Sequence, residues 1–138
     1  MGNFHYFGLF LDEETKKGLL DVFLTYLEEG NSIGYLMNKI YLNHCTLLHV
    51  SQLHGNSEIY NYLNDRIGEK YEIVINGIGI SDKAVAFRVA EYSVVCVNEV
   101  PHITITTFNG GKPVDSNNIT KWEDIEPIII KTKLKKVW

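Results

Sequence analysis

Two copies of one short pattern carry the residues best suited to chemistry: His44-Cys45-Thr46-Leu47 and His102-Ile103-Thr104-Ile105. Each reads His-x-Thr-x inside an apolar, β-branched run, which predicts a strand. Side chains alternate faces along a strand, so His44 shares a face with Thr46, and His102 with Thr104. One such pair places a titratable imidazole beside a hydroxyl donor. Two pairs facing each other supply an acid, a base and two neutral donors. An unperturbed imidazole titrates near pH 6.5, so a pair near neutral pH is expected to hold one proton between them. That set suits in-line displacement at phosphorus, with one imidazole removing a proton, the other delivering one, and Thr46 and Thr104 donating to the non-bridging oxygens. A single copy is explained as well by β propensity. Two copies in one short chain are a far more specific signal.

The elements needed to position these residues can be read along the chain. Phe4 to Leu11 predicts a first strand. Asp12 caps a helix from about Glu13 to Glu29, with Leu19, Leu20, Phe23, Leu24 and Leu27 at helical spacing, acidic residues in its first turn and Gly30-Asn31 as a stop. Asn43 to Val50 is the strand of the first motif. Ser57 caps a second helix over Glu58 to Ile67, ended by Gly68. Strands follow at Glu69 to Ile80 and Ala84 to Ala90, joined by the turn Ser81-Asp82-Lys83. A turn at Glu91-Tyr92 leads to a strand from Ser93 to Asn98. Pro101 then opens the strand of the second motif, a position where proline is tolerated. Asn109 to Asn118 reads as a loop, Ile119 to Glu123 as a helical turn and Ile128 to Val137 as a closing strand. Each half carries strands, a helix and one His-x-Thr, which suggests an internal duplication around a central cleft.

Size and composition bound the function. The 138 residues are expected to form one domain, residues 1–138, with 45% hydrophobic and 22% charged residues, ordinary values for a globular protein. A net charge of −4 argues against long nucleic acid as the primary ligand, which calls for a broad basic surface. No apolar stretch approaches the roughly 20 residues of a membrane helix, and the start lacks the basic and apolar regions of a signal peptide. Cys45 and Cys96 fall inside predicted strands and are read as buried free thiols of a reducing compartment, so a cytoplasmic protein is expected.

The two motifs, their order and their separation of 58 residues resemble the 2H phosphoesterases, also called LigT-like proteins. The resemblance spans nearly the whole chain, although the connections are short for the family. It implies an α+β fold: a single bilobal domain, two pseudo-symmetric lobes of antiparallel sheet with helices outside and a central cleft. It further implies phosphodiester chemistry without metal or other cofactor, with His44, Thr46, His102 and Thr104 as the catalytic residues. The opening Tyr6-Phe7-Gly8-Leu9-Phe10-Leu11 is similar to viral and eukaryotic members, some of which hydrolyse cyclic oligonucleotide signals of host defence. The expected substrate is therefore a small ribonucleotide, foremost a cyclic di- or oligonucleotide of the cGAMP type, met by a monomer in the cytosol, the host's if the chain is viral. The alternatives are a 2′,3′-cyclic phosphate or 2′–5′ oligoadenylate phosphodiesterase acting on RNA ends, and a non-catalytic nucleotide-binding module. Which histidine is acid and which is base stays open.

Other residues divide between binding and structure. Loop residues Lys112, Ser116 and Asn117 follow the second motif strand and are candidates for phosphate, ribose or base contacts; a solvated hairpin loop explains them equally well. Tyr6 and Tyr41, with Phe7 and Tyr35, could stack on a base, although aromatic residues in regular elements more often serve the core. His49 stands an odd number of residues from His44, so it is expected on the opposite face, in a structural role. His54 belongs to a turn with Gly55-Asn56, and His5 reads as a surface residue. None of these intervals is the i, i+4 spacing of a helical metal site, and no metal is expected. The alternating lysines of Lys131-Thr132-Lys133-Leu134-Lys135-Lys136 are read as protection of an edge strand.

Overall fold

A computed structural model describes residues 4–28, 37–92, 96–98 and 100–138. The described residues form an α+β arrangement of seven antiparallel-paired strands and two α-helices. In chain order these are β1 (Tyr6–Phe10), α1 (Glu13–Glu28), β2 (Met37–Ile40), β3 (His44–His49), α2 (Ser57–Asn64), β4 (Lys70–Ile80), β5 (Ala84–Tyr92), β6 (His102–Phe108) and β7 (Trp122–Val137). Short 3-10 turns occupy Val50–Gln52 and Pro113–Asn118. Among the described residues, no helix is long and apolar enough to cross a membrane.

The strands form one sheet in the order β2-β6-β3-β1-β7-β4-β5, and a further pairing of β5 with β6 closes it into a barrel. The hydrogen-bonding network is therefore not divided into two lobes. Six of the strands give alternate residues to the main core: Phe7 and Leu9 of β1, Cys45 and Leu47 of β3, Ile103 and Ile105 of β6, Val85 and Phe87 of β5, Ile73 and Ile75 of β4, and Leu134 of β7; a smaller cluster gathers Ala84, Ala86 and Ile119. Leu19 and Phe23 of α1 and Tyr60 and Leu63 of α2 enter the same cluster, so both helices pack on this face. Full burial of each large apolar side chain contributes about 1.5–3 kcal/mol, and this is what fixes the strand register. The opposite face is left for other work.

Several expectations are corrected. Helix α1 starts as read, with an Asp12 carboxylate oxygen accepting the Thr15 backbone N–H at 2.7 Å; its expected stop at Gly30-Asn31 lies outside the described residues, as does Tyr35. Helix α2 ends at Asn64, not Ile67, and Asn56 rather than Ser57 is its cap residue. The expected turn at Glu91-Tyr92 is absent because β5 runs through Tyr92. Of the strand expected over Ser93 to Asn98, residues 93–95 lie outside the description and Cys96–Asn98 are not in a strand. Strand β2 gave no alternation to read. The helical turn expected over Ile119 to Glu123 is extended chain; the tight turn lies earlier, where Pro113 presets its backbone. Strand β7 begins at Trp122 and runs through Pro127, because its pairing with β4 jumps from Ile75↔Ile128 to Gly77↔Asp124 and leaves Pro127 in a bulge where no ladder N–H is needed. Finally, β7 lies between β1 and β4, so its lysines do not protect an edge.

Candidate functional site

The site is built by strand parity. Cys45 of β3 pairs with Ile103 of β6, and both side chains are buried in the core. Their neighbours His44, Thr46, His102 and Thr104 must therefore emerge together on the opposite face. Counting outward from that antiparallel pair sets each histidine across from the other motif's threonine. All four line one cavity of about 400 Å³, closed on one side by Pro113, Val114 and Asn117.

His44 is held by rings. It stacks on Tyr6 at a centroid distance of 4.7 Å and on Phe10 at 4.9 Å, both from the same face of β1. Between them lies Gly8, where a β-carbon would stand 3.4 Å from His44 Cδ2 and 3.3 Å from the Phe10 ring, so glycine keeps this close approach relaxed. The His44 Nδ1 atom is buried without a hydrogen-bond partner. Burial, reinforced by the nearby His102 and His5, pushes the His44 pKa down to about 4. His102 is also lowered, chiefly by burial, with a partial offset from the Val100 carbonyl. That carbonyl lies 2.9 Å from His102 Nδ1 and can only accept, so Nδ1 carries the proton and Nε2 keeps a lone pair. Both shifts favour neutral imidazoles near pH 7, against the expectation of a shared proton.

This shift couples to folding. A histidine at about 4 in the folded chain and about 6.5 in the unfolded one leaves stability intact above pH 6.5 and withdraws it as pH falls through about 4, by about 3 kcal/mol in all. Denaturant unfolding at pH 7 and pH 4 should show this loss, and His44→Phe, which keeps the ring stack without the titration, should remove most of it. Equal acid sensitivity of the two proteins would mean that His44 titrates normally.

The two threonines differ. Thr104 Oγ1 lies 2.9 Å from Ser116 Oγ and 3.4 Å from the Pro113 carbonyl, which ties it to the 3-10 turn. The backbone carbonyl of Thr46 accepts from Asn98 Nδ2 at 3.2 Å and from the Cys96 thiol at 3.4 Å. Asn98 in turn accepts from Gln52, whose other side-chain atom accepts the His49 N–H, so a polar brace runs behind Thr46.

Of the binding candidates, Tyr6, Tyr41 and Asn117 line the cavity with the four motif residues. Ser116 does not; it is buried as the partner of Thr104. Lys112 is exposed outside the lining, its backbone N–H held by Asp115. His49 corrects the parity argument. Leu47 and Leu48 are both buried and the pairing with β1 slips between Phe7↔Leu48 and Gly8↔Thr46, so Leu47 is an extra residue that turns His49 onto the His44 face. There its ring lies 5.0 Å from that of His5, and both line the cavity. Phe10, Gly8, Gln52 and Asn98 were not foreseen. The alternation Tyr6-Gly8-Phe10 could have pointed to the first two, whereas the brace carries no periodic signal. Among the described residues, no group of three or more His, Cys, Asp or Glu is placed to hold a metal ion.

No family model matches the chain, and no curated protein matches it.

Proposed function

We propose that the chain is a 2H-type phosphodiesterase that cleaves a small ribonucleotide substrate, foremost a cyclic di- or oligonucleotide signal. The observation that carries this reading is the convergence of both His-x-Thr pairs on one cavity across the β3–β6 register. The two-lobed 2H architecture is part of the proposal: β1, α1 and β3 deliver one motif, and α2, β4, β5 and β6 deliver the other, joined here into a continuous sheet.

The tautomers suggest how the work is divided. His102, with its proton fixed on Nδ1, offers the Nε2 lone pair and serves as general base. At His44 an unpartnered buried lone pair costs less than an unpartnered N–H, so neutral His44 favours its proton on Nε2, and it delivers that proton once a second one makes it an imidazolium. A phosphodiester anion between the rings favours imidazolium and draws the second proton in with the substrate. Thr46 donates to a non-bridging oxygen; Thr104 does so on turning from Pro113, with Ser116 keeping its place.

The proposal is tested by incubation with a panel of cyclic dinucleotides, 2′–5′ oligoadenylate and 2′,3′-cyclic nucleotides after exhaustive chelation. Turnover should be unchanged by EDTA, because imidazoles move the protons and hydroxyls stabilise the charge. Turnover restored only by added Mn²⁺ or Zn²⁺ would overturn it, as would inertness toward the whole panel.

A further inference from the structure

Strand β7 carries Lys131, Lys133 and Lys135 on one face, exposed, while Thr132 and Leu134 between them are buried. Register relates this row to the histidines. Phe10 of β1 pairs with His44 on one side and with Lys133 on the other; Gly8 pairs with Thr46 on one side and with Lys135 on the other. Cross-strand partners point to the same face, so Lys133 and Lys135 lie on the motif face, two strand spacings or about 10 Å from His44 and Thr46.

The lysines are also set against one another. Lys133 pairs with Lys70 of β4, and like charges directly opposite are destabilising. Among the described residues the one ion pair is Arg88 with Asp124, so none of Lys70, Lys133 and Lys135 is ion-paired. Lys135 lies 5.5 Å from the centroid of the Phe10 ring, the same ring that stacks on His44. Lys136, facing the other way, shows the contrast: Tyr60 and Asn64 both accept from its ammonium. Lys131 lies farther along the strand with no β1 residue opposite it; Glu72 stands across from it without an ion pair, two residues from Lys70 on the same face of β4. A chain of net charge −4 thus keeps three cations that are in no ion pair beside the motif cavity.

We propose that Lys70, Lys133 and Lys135 form an anion subsite that holds a second phosphate of the substrate while the first lies between His44 and His102. This rests on the phosphodiesterase reading above and narrows it to substrates with at least two phosphates. The Tyr6, His44 and Phe10 rings lie between the two positions and offer a base a surface on which to stack. Lys133 and Lys135 are about 7 Å apart along the strand, so their flexible ammonium arms can converge on one phosphate.

The test compares 2′-deoxy diadenylate carrying a 5′ phosphate with deoxyadenosine monophosphate, measured by calorimetry on the wild type and on Lys133→Gln/Lys135→Gln at several salt concentrations. The variant should lose about 10-fold more affinity for the two-phosphate ligand than for the one-phosphate ligand. Its salt dependence for the former should flatten by roughly 0.7 logarithmic units per lysine removed. Lys70→Gln should act in the same direction. All three lysines are exposed, and removing like charges should leave the thermal midpoint unchanged or raised. An equal loss for both ligands, or none, overturns the subsite. So does lysine-dependent binding of inorganic phosphate as tight as that of the dinucleotide, which would make it a free-anion site. Lysine-dependent dinucleotide binding by a protein inert toward the panel would support the subsite and sink the catalytic reading; turnover indifferent to the lysines would do the reverse.

Discussion

Replacing His44 or His102 with alanine is expected to lower turnover by about 10²–10⁴-fold each, the range over which positioned acid–base groups act. The double variant should fall little further, because a proton taken without a proton delivered leaves the displacement stalled either way. The two substitutions should nonetheless differ in pH dependence. The kcat/KM of the intact protein reports the free site, where His44 titrates near 4 and His102 below its usual 6.5, so its maximum is expected below pH 6.5. His102→Ala removes the base and should abolish the acidic limb of that profile. His44→Ala removes the donor and should abolish the alkaline limb. Binding should survive in part, since Thr46, Thr104 and the aromatic rings remain. Near wild-type turnover in either single variant would overturn the two-histidine mechanism.

The depressed basicity of both imidazoles has a use in this scheme. A site whose imidazoles are neutral without substrate costs less to bury than one holding an imidazolium, and the charge of the entering phosphodiester is then balanced by a proton that enters with it. Proton uptake on binding is the corollary. It also explains why His44 tolerates a buried, unpartnered Nδ1, since a hydrogen-bond acceptor there would favour the imidazolium and raise its pKa.

The legible part of the fold was whatever repeated at a fixed period. The alternation around His44 and His102 gave both motif strands and the pairing of histidine with threonine, and the apolar stripe of α1 gave its start and its core residues Leu19 and Phe23. What failed did so where one residue breaks the period. The extra Leu47 turns His49 from the core side to the cavity, and the bulge at Pro127 hides the first half of β7 from any alternation count. Barrel closure through β5 and β6 was not legible either, because strand order is set by long-range pairing that leaves no local mark. That single fact changes the meaning of the C-terminal lysines: an alternating basic strand reads as a guarded edge until its neighbours are known. Ser116 shows the same limit at the scale of a side chain. Its position after the second motif put it near the site, but only the 3-10 turn of Pro113–Asn118 decides that it meets Thr104.

A substrate lacking the hydroxyl beside the scissile phosphate is expected to be cut at least about 10³-fold more slowly than its ribose counterpart, while still competing for binding. The neighbouring hydroxyl is already placed for in-line attack, and well-oriented intramolecular reactions reach effective molarities of about 10⁵–10⁸ M over an external nucleophile. The site described here is equipped for that nucleophile: His102 Nε2 holds a lone pair to take its proton, and His44 holds a proton for the departing oxygen. The first product should therefore be a 2′,3′-cyclic phosphate, which the same two histidines can open by the reverse assignment of roles with water as the incoming group. Mass spectrometry of products within the first turnovers separates the two routes. A cyclic phosphate that accumulates early and is absent from the deoxy reaction supports attack by the ribose. Equal turnover of ribo and deoxy substrates, with ¹⁸O from solvent water already in the first product, would make water the nucleophile and remove the reason for expecting a ribonucleotide.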